Sequence, residues 1–104
     1  MPFKPDRPEA KWDRGDGIHV IVKWTSPKDD GGGDITAFVV KYGDERTSVD
    51  HYATVKVAGN TTGFKFTDQL TWGTKYHFAV AAENTAGRGE FSEFSDFVRI
   101  SYGT

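Results

Sequence analysis

The stretch Leu70-Thr71-Trp72-Gly73-Thr74-Lys75-Tyr76-His77-Phe78-Ala79-Val80-Ala81-Ala82-Glu83 decides the fold. From Tyr76 onward, Tyr76, Phe78, Val80 and Ala82 alternate with His77, Ala79, Ala81 and Glu83, the two-residue period of a strand with one buried face. The set with the larger side chains is expected inside. Working back along the chain, Phe38, Val40 and Tyr42 alternate with Ala37, Val39 and Lys41 in the same way, and Ile18, Val20, Val22 and Trp24 alternate with His19, Ile21 and Lys23. A short strand is expected around Ala10 to Trp12, a weaker edge strand over His51 to Ala58, another opening on Phe64 and Phe66, and a last one from Phe91 to Ile100. No segment has helical periodicity.

Between these strands lie segments that cannot hold regular structure. Asp13 to Gly17 and Thr25 to Asp34, the latter with Pro27 and three consecutive glycines, are exposed turns or loops, and Gly59-Asn60-Thr61-Thr62 closes another turn. Pro2, Pro5 and Pro8 make the start extended and linker-like. The expected organisation is a linker over 1–8, one domain over 9–102 and a short tail, 103–104. Seven short strands with turn signals between them give an all-β fold, a seven-stranded antiparallel β-sandwich with Greek-key connections, because strands of this size bury an apolar face only against a second sheet. A small barrel is the alternative.

The bulk numbers agree with one such domain. A chain of 104 residues suits a single hydrophobic core. Eight Phe, four Tyr and three Trp provide large side chains to fill it. Net charge is −2 and the 13 basic residues are scattered, so no phosphate-neutralising surface is expected and nucleic acid is excluded as a partner. With no cysteine there is neither a disulfide nor a thiolate metal site, and that composition suits either redox compartment. Apolar runs are too short to span a bilayer, so no membrane insertion by this segment is expected.

In this order, Trp24, the Pro27 to Gly33 loop, Phe38-Val39-Val40-Lys41-Tyr42, and Leu70 followed by Gly73-Thr74-Lys75-Tyr76 resemble the fibronectin type III family, and Asn84, Gly87, Gly89 and Ser92 continue the likeness. The resemblance covers nearly the whole chain. It implies an immunoglobulin-like sandwich with a structural core of Trp24, Phe38, Val40, Tyr42, Leu70, Tyr76, Phe78 and Val80, and a tyrosine corner in which the Tyr76 hydroxyl returns to loop backbone. Trp72, where the family usually has Pro, departs from the pattern, as does a Phe66 to Leu70 spacing one residue longer than usual. The implied function is a non-catalytic protein-interaction or spacer module of a multidomain protein, without cofactor, monomeric when isolated, whose partners are other proteins or neighbouring domains. Adhesion, receptor and scaffold proteins all use such modules, so compartment stays open between extracellular and cytoplasmic; an accessory domain of an enzyme is a further alternative.

Three candidate sites stand out. If the larger set faces inward, Ala37, Val39, Ala79 and Ala81 face out, framed by Lys41, His77 and Glu83, and leave a shallow apolar patch able to receive a partner or a neighbouring domain. Arg14-Gly15-Asp16 is the tripeptide that integrins read; its ordinary reading is turn chemistry and its functional one adhesion. Asn60-Thr61-Thr62 is an N-glycosylation acceptor pattern, with a polar turn as the plainer reading. Asp29, Asp30 and Asp34 lack the spacing of a calcium loop, and His19, His51 and His77 lack that of a zinc site, so no metal is expected. Ser48, Asp50 and His51 are neighbours without being a triad on that account, and no catalytic residue is assigned.

Overall fold

The computed structural model describes residues 4–13, 19–27, 34–48, 51–67 and 74–100. Its strands are β1 (Glu9–Asp13), β2 (His19–Lys23), β3 (Ala37–Asp44), β4 (Ala53–Ala58), β5 (Gly63–Phe66), β6 (Thr74–Asn84), β7 (Gly87–Arg88) and β8 (Val98–Ile100). They form two antiparallel sheets. One has the order β1-β2-β5; the other runs β4-β3-β6-β7, with β8 also on β6. This is the expected sandwich.

The alternation seen in the sequence becomes the core. In the β3–β6 register Phe38 faces Ala82, Val40 faces Val80 and Tyr42 faces Phe78. Against this layer β2 sets Val20, Val22 and the following Trp24, and β5 sets Phe66. Phe38, Phe66, Phe78 and four valines are fully buried. The rings interlock at tilted angles: Trp24 on Phe38 at 5.6 Å, Tyr42 on Phe66 at 4.7 Å and Phe66 on Phe78 at 5.1 Å. Such off-parallel geometries suit the ring quadrupoles. Tyr42 is only half-buried, and burial followed by the nearby Tyr76 phenol raises its pKa. Tyr76 is buried, whereas Leu70 and the loop expected to receive the Tyr76 hydroxyl lie outside the described residues.

Two expectations about the chain ends meet a more specific geometry. Residues 4–8 carry no strand, yet Pro5 and Pro8 are buried. Lys4 reaches Glu93 at 3.4 Å and Arg7 reaches Asp96 at 3.9 Å. The single strand expected from Phe91 to Ile100 is instead broken: after the β6–β7 hairpin, where Gly87 takes the positive φ of 130° that favours glycine, residues 89–97 leave the strand conformation and only β8 resumes it. The reason is the hydrogen bonding. Gly89, Ser92 and Ser95 donate their N–H groups to the carbonyls of Ala82, Val80 and Phe78 at 2.9, 2.8 and 2.8 Å. Three residues of this segment therefore advance for every two of β6, which a regular ladder does not allow.

Candidate functional site

That three-for-two step sets the direction of every side chain between Gly89 and Val98. Ser92 and Ser95 turn toward β6, where their hydroxyls accept the Val80 and Phe78 N–H groups at 3.0 and 3.1 Å and donate to the carbonyls of Glu93 and Asp96. Phe91, Phe94 and Phe97, one position earlier or two later in each triplet, lie over the outer face of the β3–β6 pair. There they meet Lys41 and His77, which the β3 and β6 registers place opposite Ala79 and Gly43.

The result is one continuous row of alternating side chains. Arg88 lies 4.7 Å from the Phe91 ring, and Lys41 Nζ bridges Phe91 at 4.4 Å and Phe94 at 5.2 Å. His77 is then stacked between Phe94 at 3.8 Å and Phe97 at 4.3 Å, nearly parallel to both. Ammonium and guanidinium groups over ring faces gain from the ring quadrupole, about 0.5–1 kcal/mol each where solvent reaches them. Tyr52 buttresses the row from the side of β4. Its hydroxyl is 2.9 Å from His77 Nε2, its ring contacts Phe94 at 5.2 Å, and it occupies the space a Cβ on Gly43 would need.

This row corrects the picture of an open apolar patch. Ala79 and Ala81 are completely buried and Ala37 is 6% exposed, while Val39, Lys41 and His77 are half-buried. The alanines of this face are therefore covered and not open to a partner. Sequence reasoning missed Tyr52, Arg88, Phe91, Phe94 and Phe97, although Phe-Ser-Glu-Phe-Ser-Asp-Phe over 91–97 carries a visible three-residue period. Arg14-Gly15-Asp16 lies outside the described residues, as do Asp29 and Asp30. Asn60 is exposed in the turn after β4, where Thr61 donates its N–H to the Ala58 carbonyl. Ser48 Oγ and His51 Nδ1 are hydrogen-bonded at an exposed position, with Asp50 outside the described residues. Among the described residues no group of acids and histidines could hold a metal ion, and no helix is long and apolar enough to cross a membrane.

Electrostatics single out His77. Desolvation by its ring neighbours, followed by the Lys41 charge, lowers its pKa. A histidine that is harder to protonate when folded makes its full contribution above its unfolded pKa, about 6.5, and loses it as pH falls from there through the folded value. Thermal stability is therefore expected to decline on acidification below about pH 6.5, and His77→Phe to flatten that part of the profile. Parallel melts of both proteins between pH 7.5 and 5 test this; identical slopes would refute it. Asp44, whose carboxylate accepts from the Thr47 hydroxyl and the Arg46 N–H, has a lowered pKa and belongs to a separate, more acidic window.

Comparison with known proteins places this geometry in a family. The fibronectin type III domain matches residues 4–98. Human cell adhesion molecule DSCAML1 is 30% identical over 89 residues, which are 86% of this chain and 4% of that protein. Human slow-type myosin-binding protein C is 33% identical over 79 residues, covering 71% of this chain and 6% of the relative, and human contactin-4 is 35% identical over 73, covering 70% and 7%. The chain thus spans 4 to 7% of the length of these relatives. Among solved structures, a set of titin domains superposes with a TM-score of 0.81 at 25% identity, over 97% of this chain and 32% of that one. Domains FN1–FN3 of chicken CNTN1 give 0.77 at 21% identity, over 95% and 31%. By the family match over residues 4–98 and the sandwich that carries it, this chain belongs to the fibronectin type III domain family.

Proposed function

We propose that this domain is a non-catalytic module of a longer protein, holding partners or neighbouring domains through its surface while its sandwich sets their separation. The observation that carries this reading is the coverage: 70 to 86% of this chain is matched inside cell adhesion molecule DSCAML1, slow-type myosin-binding protein C and contactin-4, of each of which it is a small fraction. A core filled by interlocked rings supports it, because the fold directs its variable chemistry to loops and outer faces. Of those faces, the Arg88 to Phe97 row combines cations and rings, and the segment that carries its phenylalanines is hydrogen-bonded to β6 through Gly89, Ser92 and Ser95.

Replacing the domain in its full-length parent with an unrelated fibronectin type III sandwich of equal length separates the two parts of the proposal. An interaction module is expected to lose partner binding on replacement, whereas a pure spacer keeps it. Deletion is expected to impair either. A parent protein indifferent to deletion would defeat both.

A further inference from the structure

The row ends unevenly. Arg88 begins it as a cation on Phe91, and Phe91, Phe94 and His77 each have two neighbours within the row, whereas Phe97 ends it with His77 as its neighbour there. Phe97 is 47% exposed, the one large hydrophobic side chain exposed among the described residues. A phenylalanine ring held flat by a neighbour and open to water on the other side presents its negative face to solvent, and the group complementary to it is a cation with a planar, weakly hydrated head.

Carboxylates of the matching sign line the segment that carries the ring, while the chain's own Lys75 and Arg99, paired across β6 and β8, stand two residues beyond His77 and Phe97. The three-residue step that sends Phe91, Phe94 and Phe97 onto the sheet sends Glu90, Glu93 and Asp96 outward, all exposed. Since each triplet spans two residues of β6, these carboxylates recur about every 6.7 Å, the spacing of alternate side chains on an extended strand. The chain's own cations are already drawn to them, Lys4 to Glu93 and Arg7 to Asp96, but loosely: the Asp96 side chain stays 98% exposed beside its 3.9 Å contact.

We propose that the open face of Phe97 is a docking point for an arginine of a partner protein, carried on an extended segment whose alternate basic residues follow Glu90, Glu93 and Asp96. The guanidinium stacks on the ring and pairs with the neighbouring Asp96 carboxylate, joining planar stacking to ion pairing in a way that lysine matches poorly. This deepens the reading of the domain as an interaction module and rests on it.

The test is an NMR titration of the whole 104-residue chain with the synthetic peptide acetyl-Gly-Arg-Thr-Arg-Thr-Arg-Gly-amide and with its lysine and citrulline counterparts. The arginine peptide is expected to shift the Phe97 ring and the Glu90 to Phe97 amides, the lysine peptide to bind more weakly, and the citrulline peptide not to bind. Phe97→Ala is expected to weaken arginine-peptide binding about two- to five-fold, the range of a solvent-exposed cation–π contact. Asp96→Asn, which leaves the ring in place, is expected to weaken it as well, so a fold defect in one variant does not decide the matter. Affinity unchanged by both substitutions, equal binding of the lysine and arginine peptides, or shifts confined to another face would overturn the site. Such a result leaves the interaction-module reading standing, since that reading falls only if replacing the domain keeps partner binding or deleting it has no effect in the parent.

Discussion

Phe78→Ala is expected to lower unfolding free energy by about 3 to 5 kcal/mol, the cost of removing a large buried ring and leaving a cavity that its neighbours only partly close. Phe78 is fully buried on the longest strand, opposite Tyr42 in the register, with Phe66 at 5.1 Å and Tyr42 at 6.2 Å. Phe66 arrives from the other sheet, so the ring joins the two layers rather than filling one. For a domain of this size the loss corresponds to a fall in Tm of roughly 15 to 25 °C. Typical domains hold only about 5 to 15 kcal/mol in total, so the variant is expected to be marginal at 37 °C. Urea denaturation monitored by tryptophan fluorescence measures it. A loss below about 1.5 kcal/mol would mean that Phe78 is not the joint between the layers.

Ser92→Ala combined with Ser95→Ala is expected to cost about 2 to 6 kcal/mol. Each hydroxyl accepts a buried backbone N–H of β6, from Val80 and from Phe78, and an N–H stranded away from water costs about 1 to 3 kcal/mol. Both serines are almost fully buried, so solvent cannot simply replace them. The two sites sit on one segment and share its geometry, so the double variant need not equal the sum of the singles. Hydrogen exchange gives the sharper reading: protection of the Val80 and Phe78 amides is expected to fall while that of the β2–β5 pairing is retained. Threonine at both positions, which keeps the hydroxyls, is expected to preserve that protection. If the alanine variant kept both amides protected, the serines would be bystanders to a segment held by its rings.

These two predictions divide along a line that also runs through the legibility of the chain. Phe78 was recognisable as core because its neighbours alternate in size over eight residues, and a strand with that pattern has one energetically acceptable orientation toward a second sheet. The same logic placed Trp24, Phe38, Val40 and Tyr76 inside. Ser92 and Ser95 gave no such local cue. Their role depends on β6 lying alongside, 12 and 17 residues away in sequence, and on backbone groups that composition cannot reveal. The outer-face alanines mislead for a related reason: alternation identifies the side of a strand turned from the core, but not whether another segment returns to cover it. His77 illustrates the consequence, since its hydrogen-bond partner Tyr52 is 25 residues distant and both stacking partners belong to the broken last strand.

From the residues alone, then, follow the strand pattern, the inward set and the two-layer closure, because side-chain alternation and turn chemistry act over a few neighbouring positions and the hydrophobic effect leaves one way to satisfy them. The cation–aromatic row, the covered alanines and the exposed end at Phe97 arise only once β3, β6 and residues 89–97 lie side by side. Hydrogen bonds and ring stacking between segments distant in sequence set their register, and no local period encodes which cation will meet which ring.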